Sequence, residues 1–463
     1  MIALSVSCYR ARQIMRQMTS RDFASSLLSA IARFSHDRRG VSATIVAIAL
    51  PGLIGVSALG VETGLWYTVK LQNQSTADAA AISAAYQVIA DKTSVTGNLI
   101  PAASEAAAQN GYSGSTPAVV YPYSDSIVSN GVVVTLQQTQ PELLSSMFLP
   151  SVTISTEAVA VVKALDNLCI LALATTGAGV VFGDLSFLDA PDCAVGANST
   201  STSAIVIRGD IGSITAATLV TAGGITFNGD PVDPATPPSE LILTSRLQIG
   251  APSIRDPYAR ILTRAFLSSG IPATPAATHA WTDVTATITP GLYDGGMSFG
   301  ANAIVDLTPG IYYVTNGDFF IASGATVTCM TCRDANGVTI VLTTPDPPGG
   351  GAIGNAQIQK GSTVTLQAPN SGPFSGLLLV QDPLAADGDG SDSAFEGGLG
   401  MSLTGLLYFP NAAVGFRGNP SATCTLLVAR QVTVHSRSHL SNLGCSTAGL
   451  TNLPTVYTAV LAE

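Results

Sequence analysis

Charged side chains are scarce in this chain. Aspartate, glutamate, lysine and arginine make up 11% of the 463 residues, and only four histidines and two tryptophans are present. Soluble domains carry charge on about a quarter of their residues, so solvated helical bundles are poorly supported. Aromatic residues reach 6%, which leaves little material for aromatic glycan platforms. A hydrophobic share of 46% argues against disorder.

Composition instead favours β-structure and an acidic bulk. Forty-five glycines accompany many Thr, Ser, Val and Ala residues, a mixture typical of strands joined by tight turns. The first 39 residues hold seven arginines and two aspartates, a net charge of +5. The whole chain has a net charge of −10, so the residues after position 39 together carry −15. That acidity argues against nucleic acid or anionic lipid as the main partner. No cofactor is predicted.

The longest uncharged stretch runs from Gly40 to Val61 and ends at Glu62. A helix of this length spans about 33 Å, slightly more than the hydrocarbon core of a bilayer. Residues 40–61 are therefore predicted to form one transmembrane helix, in which Pro51 is tolerated.

The basic residues predict the orientation of this helix. All seven arginines of residues 1–39 precede it, and short basic flanks stay in the cytoplasm. We expect a single-pass inner-membrane protein with residues 1–39 cytoplasmic and the bulk periplasmic or surface-facing. A cleaved signal peptide is the alternative, since Val56-Ser57-Ala58 offers small residues, but both the apolar run and the basic segment are long for one.

The helix is predicted to continue outside the membrane over residues 62–91. This part lacks proline and is rich in alanine, so one helix of about 50 residues is the simplest interpretation. A shallow stripe on it suits packing on a partner helix or on the domain that follows; a solvated stalk is the alternative. The candidate contact residues are Glu62, Trp66, Leu71, Gln72 and Asp78.

Several unlike motifs follow one another along this helix. They are Arg39-Gly40, an apolar span containing Pro51, the acid Glu62, Leu71-Gln72, and Ala77 to Ala81 with Asp78. In this order, the segment 38–85 resembles the N-terminal part of the TadE/TadG-like proteins of tight-adherence (Flp) pilus assembly. The resemblance implies a role in pilus assembly or cell adhesion. It also implies other pilus-assembly membrane proteins, or further copies of this chain, as partners.

Two positions depart from the family pattern. Pilin-like members carry Val-Glu at the fourth and fifth positions after the glycine, where this chain has Thr44-Ile45. The distal acid is usually Asp in the family and is Glu62 here. Without the intramembrane glutamate, processing at Gly40 and packing into a filament are not expected. The resemblance therefore implies a TadG-like, membrane-retained accessory protein rather than a pilin subunit.

Residues 92–165 are predicted to form a small α+β module. The pattern indicates helices at 100–110 and 141–148, and strands at 118–123, 131–138 and 152–162. Gly111 would end the first helix, and Pro141 would begin the second. The segments AAAQNGY, GVVVTLQQ and TISTEAVAVV resemble the membrane-proximal part of TadG-like proteins.

Residues 166–463 lose helical periodicity except at 256–268. Short strands separated by Gly, Asn-Gly or Pro-Gly turns recur instead, and ITPGLYDGG and LTPGIYYVTNG form an internal duplication. This repetition predicts a parallel β-helix, or β-solenoid, in which each coil stacks its apolar side chains on the next. A β-sandwich or jelly roll is the alternative. The predicted fold class is thus mainly β, after an N-terminal helix and a small α+β module.

Candidate chemistry is sparse. The best carboxylate cluster alternates oxygen donors as a calcium loop does, but Asp392 stands where the turn needs glycine, and Gly398 where a bidentate glutamate belongs. A solvated acidic loop is predicted, with calcium binding as the alternative and no catalytic pair. The cluster consists of Asp382, Asp387, Asp389, Asp392 and Glu396.

The histidines do not indicate an enzyme either. His435 and His439 lie four residues apart, but their segment reads as a surface strand, and neither an HExxH nor a GxSxG motif is present. We expect no metal site and no enzymatic activity. The alternative function is a membrane-tethered β-helix protein that processes polysaccharide or binds glycans.

Six of the seven cysteines lie beyond the predicted span, and Cys8 lies before it. An even number outside the membrane fits an oxidising compartment. Two pairs are close enough in sequence to join across one coil, and a CxxC pair in a β-rich segment is interpreted as structural rather than redox-active. The predicted disulfides are Cys169 with Cys193, Cys424 with Cys445, and Cys329 with Cys332.

Overall fold

The computed structural model describes residues 40–462, with gaps at 91, 125–128, 142–150, 184, 209–211, 334, 345–351, 387–392, 420, 422 and 451–452. The chain divides into two compact units. The first contains the described residues of 1–80, 104–118 and 134–158, and the second those of 81–103, 119–133 and 159–463. The predicted cytoplasmic segment 1–39 and residues 142–148 of a predicted helix lie outside the described residues.

One helix, α1, runs unbroken over Gly40–Ile89, a length of 50 residues. Pro51 lies inside it, where the missing N–H removes one intrahelical hydrogen bond. The C-terminal half is rich in alanine, the residue with the highest helix propensity, so the helix persists past the apolar part. The predicted continuous helix is confirmed.

A π-helical turn, Val95–Leu99, and helix α2, Ile100–Gln109, follow. The hydroxyl of Ser94 caps the turn by accepting a hydrogen bond from Gly97 N at 3.1 Å. Gly111 follows α2 with φ of 80°, a left-handed conformation that costs glycine little. The helix predicted at 100–110 is confirmed.

Three strands come next: β1 (Ala118–Tyr123), β2 (Gly131–Gln140) and β3 (Val152–Ala172). They match the three predicted strands, although β3 continues ten residues further. β2 pairs with β3, and the hydroxyls of Thr139 and Thr153 lie 3.2 Å apart between them. In the same unit the hydroxyl of Tyr112 donates to Gln137 O at 2.7 Å, which fixes the segment after α2 against β2.

The remaining elements are mostly short strands. Up to the only helix in this part of the described chain they are β4 (Val180–Phe182), β5 (Phe187–Ala190), β6 (Ala194–Ala197), β7 (Ile205–Ile207), β8 (Ser213–Ala216), β9 (Leu219–Thr221), β10 (Ile225–Phe227), β11 (Asp230–Pro231), β12 (Leu241–Leu243) and β13 (Gln248–Ile249), followed by α3 (Arg264–Ser268).

After α3 the strands are β14 (Ala280–Trp281), β15 (Thr285–Ile288), β16 (Gly291–Asp294), β17 (Met297–Phe299), β18 (Ile304–Leu307), β19 (Gly310–Thr315), β20 (Phe319–Ile321), β21 (Thr326–Thr328), β22 (Val338–Leu342), β23 (Ala356–Ile358), β24 (Thr363–Gln367), β25 (Leu377–Gln381), β26 (Ser393–Gly398), β27 (Met401–Gly418), β28 (Thr425–His439) and β29 (Thr455–Leu461). Mainly β-structure, as predicted, is confirmed.

Most of these strands pair in parallel with the strand three places further along the chain. One series is β14, β17, β20, β23 and β26; a second is β15, β18, β21 and β24; a third is β16, β19, β22 and β25; all three reach β27. The same spacing joins β4 to β7 and β10, β5 to β8, and β6 to β9. We call this array the parallel stack.

Apolar side chains form ladders inside the parallel stack, because alternate residues of a strand point to the same side. Trp281 lies opposite Phe299, and Phe299 opposite Ile321, which is followed by Ile358 and Phe395. The rings of Trp281 and Phe299 stack with centroids 5.2 Å apart. Burial of such side chains is worth about 25 cal/mol per Å², so the ladders supply a continuous core.

The internal duplication corresponds to a repeated local contact. In the first copy the hydroxyl of Tyr293 donates to Thr289 O at 2.5 Å, and in the second the hydroxyl of Tyr312 donates to Thr308 O at 2.7 Å. The two rings stack with centroids 5.9 Å apart. Each Thr-Pro-Gly turn is thus closed by the tyrosine four residues after its threonine.

The parallel stack does not follow chain order. β28 pairs in parallel with β27 and also with β3, β4 and β5. The end of the later segment, residues 280–439, therefore lies beside the beginning of the earlier segment, residues 168–249. We call this junction the seam. The far ends of the two segments, at β14–β16 and at β10–β13, are the two ends of the stack.

Residues 250–279 connect those two ends along the outside of the stack, and we call them the strap. Its side chains meet an apolar cluster formed by the outer side chains of the third strand series, including Val341 and Tyr408. Three hydrogen bonds hold the first part of the strap: Ile254 bonds to Asn198, Asp256 to Tyr408, and Arg264 to Thr344. Further along, the ring of Phe266 packs on that of Phe374, and Pro275 forms a β-bridge with Leu292.

The helical periodicity at 256–268 corresponds to a helix only at α3, the last five of these residues. The carboxylate of Asp256 accepts a hydrogen bond from Tyr258 N at 2.8 Å, a local turn that competes with helix formation. Thr263 caps α3, accepting from Phe266 N at 3.4 Å. The apolar periodicity of this segment reflects the side of the strap that packs on the stack.

Candidate functional site

The first part of α1 exposes apolar side chains in every direction. From Ile45 to Val61 all residues are exposed except the half-buried Ala58, and Ile48 and Val56 are 76% and 72% exposed. Exposed apolar surface of this extent is unfavourable in water. α1 is the one helix of the described chain that is long and apolar enough to cross a membrane.

From Glu62 onward one face of α1 is buried. Glu62 is 2% exposed, and Asn73, Thr76 and Ala77 follow on the same face with 3% or less, at the spacing of a helical stripe. The side-chain amide of Gln74 donates to Glu157 O at 2.9 Å. This stripe therefore packs on another part of the same chain, whereas the sequence left open a partner helix or the domain that follows.

The candidate contact residues of α1 differ in exposure. Glu62 is buried, Trp66 and Asp78 are half-buried, and Leu71 and Gln72 are exposed. Tyr67, next to Trp66, is 63% exposed, and Leu71, one turn later, is 55% exposed. Tyr67, Leu71 and Gln72 thus present the accessible face of the helix just outside the apolar part.

The six cysteines beyond α1 form the three pairs that their spacing predicts. Cys169 joins Cys193 and Cys424 joins Cys445, across 24 and 21 residues, and Cys329 joins Cys332. Cys169 lies on β3, and Cys424 directly precedes β28. Because β3 pairs with β28, the two long-range disulfides lie on either side of the seam.

The predicted acidic loop is only partly described, since Asp387, Asp389 and Asp392 lie outside the described residues. The prediction of a solvated loop is wrong at Asp382, which is fully buried. Its carboxylate accepts hydrogen bonds from Thr343 Oγ1 at 2.8 Å and Leu384 N at 2.9 Å, and Arg264 Nη1 lies 3.9 Å away. It therefore anchors the strap. Among the described residues, no group of three or more acidic, histidine or cysteine side chains is arranged for a metal.

A cleft lies where β28 passes β5 and β8, at the seam. Arg437 lies opposite Phe187, and His439 opposite Asp189, with Ser213 and Thr215 next on β8. The guanidinium carbon of Arg437 is 5.4 Å from the centroid of the Phe187 ring, a cation–π contact. His439 Nδ1 lies 3.1 Å from Asp189 Oδ2. We call this the Arg437 cleft; its volume is about 430 Å³.

Sequence reasoning placed His435 and His439 on a surface strand, and both lie on β28. It missed the partner Asp189, since nothing local links two residues 250 positions apart. It also missed Arg437 and Phe187 as a pair. Only the pairing of β28 with β5 brings these four groups together, and the seam that creates this pairing has no signal in the sequence pattern.

Comparison with known proteins bears on the N-terminal helix alone. Residues 40–87 match a family model described as "Putative Flp pilus-assembly TadE/G-like". No curated protein matches the chain. No solved structure matches it either. The matched residues comprise the apolar part of α1 and nearly all of the stripe that follows it.

Proposed function

We propose that this chain is a TadG-like, single-pass membrane accessory protein of tight-adherence (Flp) pilus assembly or surface attachment. It acts by anchoring and protein contact rather than by bond-making. The observation that carries the proposal is the coincidence of the TadE/G-like match with α1, whose apolar part is exposed on all sides. Such a helix would anchor the protein in a membrane, and the family match supports pilus assembly as the process in which the protein takes part.

The proposed topology places the N-terminus in the cytoplasm of a cell with an inner membrane, and the chain beyond residue 61 in the periplasm or toward the surface. The seven arginines before Gly40 favour it, since basic flanks stay inside. The three disulfides also favour it, because they persist in oxidising compartments. We further propose that the parallel stack is a β-solenoid that offers a rigid surface.

The proposed partners are other pilus-assembly membrane proteins, met through the accessible face of α1. Tyr67, Leu71 and Gln72 are exposed there, whereas Ala77 is completely buried. These exposed side chains combine apolar and polar groups close to the membrane, a surface that suits contact with a second membrane-proximal helix.

Site-specific photo-crosslinking in cells tests this assignment. A crosslinker at Gln72 should capture a second protein of the pilus-assembly machinery, whereas one at Ala77, on the buried side of the same helix, should capture none. Capture at Gln72 of nothing but further copies of this chain would contradict a role in contacting assembly partners. Equal capture from both positions would contradict the assigned face.

The topology is tested separately with epitope tags at the two ends of the chain. In cells with a permeabilised outer membrane, an added protease should remove the C-terminal tag and leave the N-terminal tag intact. Digestion of the N-terminal tag alone would reverse the orientation, and digestion of both would contradict a single membrane crossing.

A further inference from the structure

Arg437 carries a positive charge that the described chain does not neutralise. No carboxylate of the described residues lies within ion-pair distance of its guanidinium, and its one recorded contact is the ring of Phe187. Beyond residue 39 the chain has a net charge of −15, so Arg437 forms a local positive group in an acidic part of the protein. Stacking on a ring occupies one face of the guanidinium and leaves its N–H edge free for a carboxylate.

The Phe187 ring that supports this arginine is itself held in place. Gly212 lies directly against the ring, and a Cβ at that position would overlap it. The ring therefore lies between a backbone that permits no side chain and the guanidinium of Arg437. An arginine restrained in this way loses less conformational entropy when it binds an anion.

The rest of the Arg437 cleft offers groups that recognise hydroxyls. Asp189, 66% exposed, supplies acceptor oxygens, and His439 has a second ring nitrogen beyond the one that meets Asp189. The hydroxyls of Ser213 and Thr215 line the same cleft and have no hydrogen-bond partner among the described residues. Leu399, 84% exposed, adds an apolar wall.

The cleft suits a sugar better than a peptide. A peptide that adds to a sheet gains its affinity from main-chain hydrogen bonds at a free strand edge. Here β5 pairs on one side with β28 and on the other with β8, so the cleft floor has no free edge. A ligand in this cleft must therefore form its hydrogen bonds with side chains, and the hydroxyls of a sugar can do so. The cavity of about 430 Å³ is within the range of small-ligand sites, ~300–1,000 Å³.

We propose that the Arg437 cleft binds a carboxylate-bearing sugar unit of an acidic polysaccharide. The carboxylate pairs with the N–H edge of Arg437, and the sugar hydroxyls bond to Asp189, His439 and Thr215. This inference is independent of the contacts proposed for α1, and it involves binding without any chemical step.

Binding of oligogalacturonate to the full-length protein in detergent tests the proposal, with neutral galactan oligomers and polyglutamate of matched length as comparison ligands. Wild-type protein should bind oligogalacturonate at least about tenfold more tightly than either, since a hydrogen-bonded charge pair contributes this order of affinity. Arg437→Gln should lose roughly tenfold in affinity, Arg437→Lys less, because lysine keeps the charge but not the planar fork.

The matched control is Arg333→Gln, which removes one exposed positive charge outside the cleft and should leave binding unchanged. Thr215→Val should weaken oligogalacturonate binding a few-fold without altering the melting temperature. Equal affinities of the Arg437→Gln and Arg333→Gln variants would overturn the proposal. So would equal binding of the neutral oligomer, or binding of polyglutamate as tight as that of oligogalacturonate. Crosslinking from Gln72 should be unaffected by Arg437→Gln, so the two proposals fail separately.

Discussion

Loss of the Cys169–Cys193 disulfide should destabilise this protein more than loss of Cys329–Cys332. A disulfide restricts the unfolded chain, and the restriction grows with the number of residues in the closed loop. The loops span 24 and 3 residues. The loop-entropy relation then gives about 3.5 kcal/mol for the first bridge and about 1.6 kcal/mol for the second. Such differences are large beside a typical stability of about 5–15 kcal/mol.

The seam makes the first bridge more sensitive than its loop length alone implies. Cys169 lies on β3, which pairs with β28, so the bridge restrains a strand shared by both segments of the parallel stack. Cys329 and Cys332 lie within a single turn after β21. Loss of the short bridge therefore leaves the strand pairings on both sides intact.

The assay is urea denaturation of the Cys169→Ala/Cys193→Ala and Cys329→Ala/Cys332→Ala double variants. Trp281, 9% exposed in the core ladder, reports unfolding by fluorescence, and Trp66→Phe as background removes the other tryptophan. A free energy of unfolding lowered equally in both variants, or more in the short-loop variant, would refute the reasoning. Wild-type protein under reducing conditions should lose at least as much as the long-loop variant.

Three further changes test the packing. Asn73 is buried, and its Nδ2 has no hydrogen-bond partner among the described residues, so Asn73→Leu should raise the free energy of unfolding by about 1 kcal/mol; a decrease would show that the amide is satisfied. The Tyr312 hydroxyl lies 2.8 and 2.7 Å from the carbonyl oxygens of Ile288 and Thr308, which share its single proton. Tyr312→Phe should therefore cost about 1 kcal/mol, measured by thermal denaturation. Burial raises the pKa of Asp256 despite hydrogen bonds from Tyr258 N and the Tyr408 hydroxyl. The folded state therefore holds this proton more tightly than the unfolded state. Wild-type protein should lose stability relative to Asp256→Asn as the pH rises from below 3.8 through the raised pKa. Parallel melting curves for the two proteins across that range would contradict the assignment.

Local features of the sequence predicted the elements well. The uncharged run and the alanine-rich stretch predicted α1, because helix length and propensity are local properties. The strands followed from turn residues and apolar alternation, and the three disulfides from spacing. Gly111 marked the end of α2, since a left-handed residue after a helix is a local requirement.

Long-range features were not predictable in the same way. The pairing of β28 with β3 brings together residues such as Leu427 and Ile170. The spacing of the strands along the sequence does not determine which ends of the two segments of the parallel stack pair with each other. Residues 256–268 of the strap show a helical pattern in the sequence, and Leu262 and Leu267 are both buried, yet only residues 264–268 are helical. The Arg437 cleft depends on the same seam, because Arg437 and His439 lie 250 positions after Phe187 and Asp189.

The seam also imposes an order on biogenesis. β3 is synthesised early, and its eventual neighbour β28 comes near the end of the chain. During translation, the earlier segment therefore carries an open parallel edge, which is a known route to misassociation. The nascent protein needs protection until these later strands arrive, whether from a chaperone or from rapid closure of the Cys169–Cys193 bridge. A nonsense mutation shortly before β28 should for that reason yield an aggregating product rather than a shorter functional one.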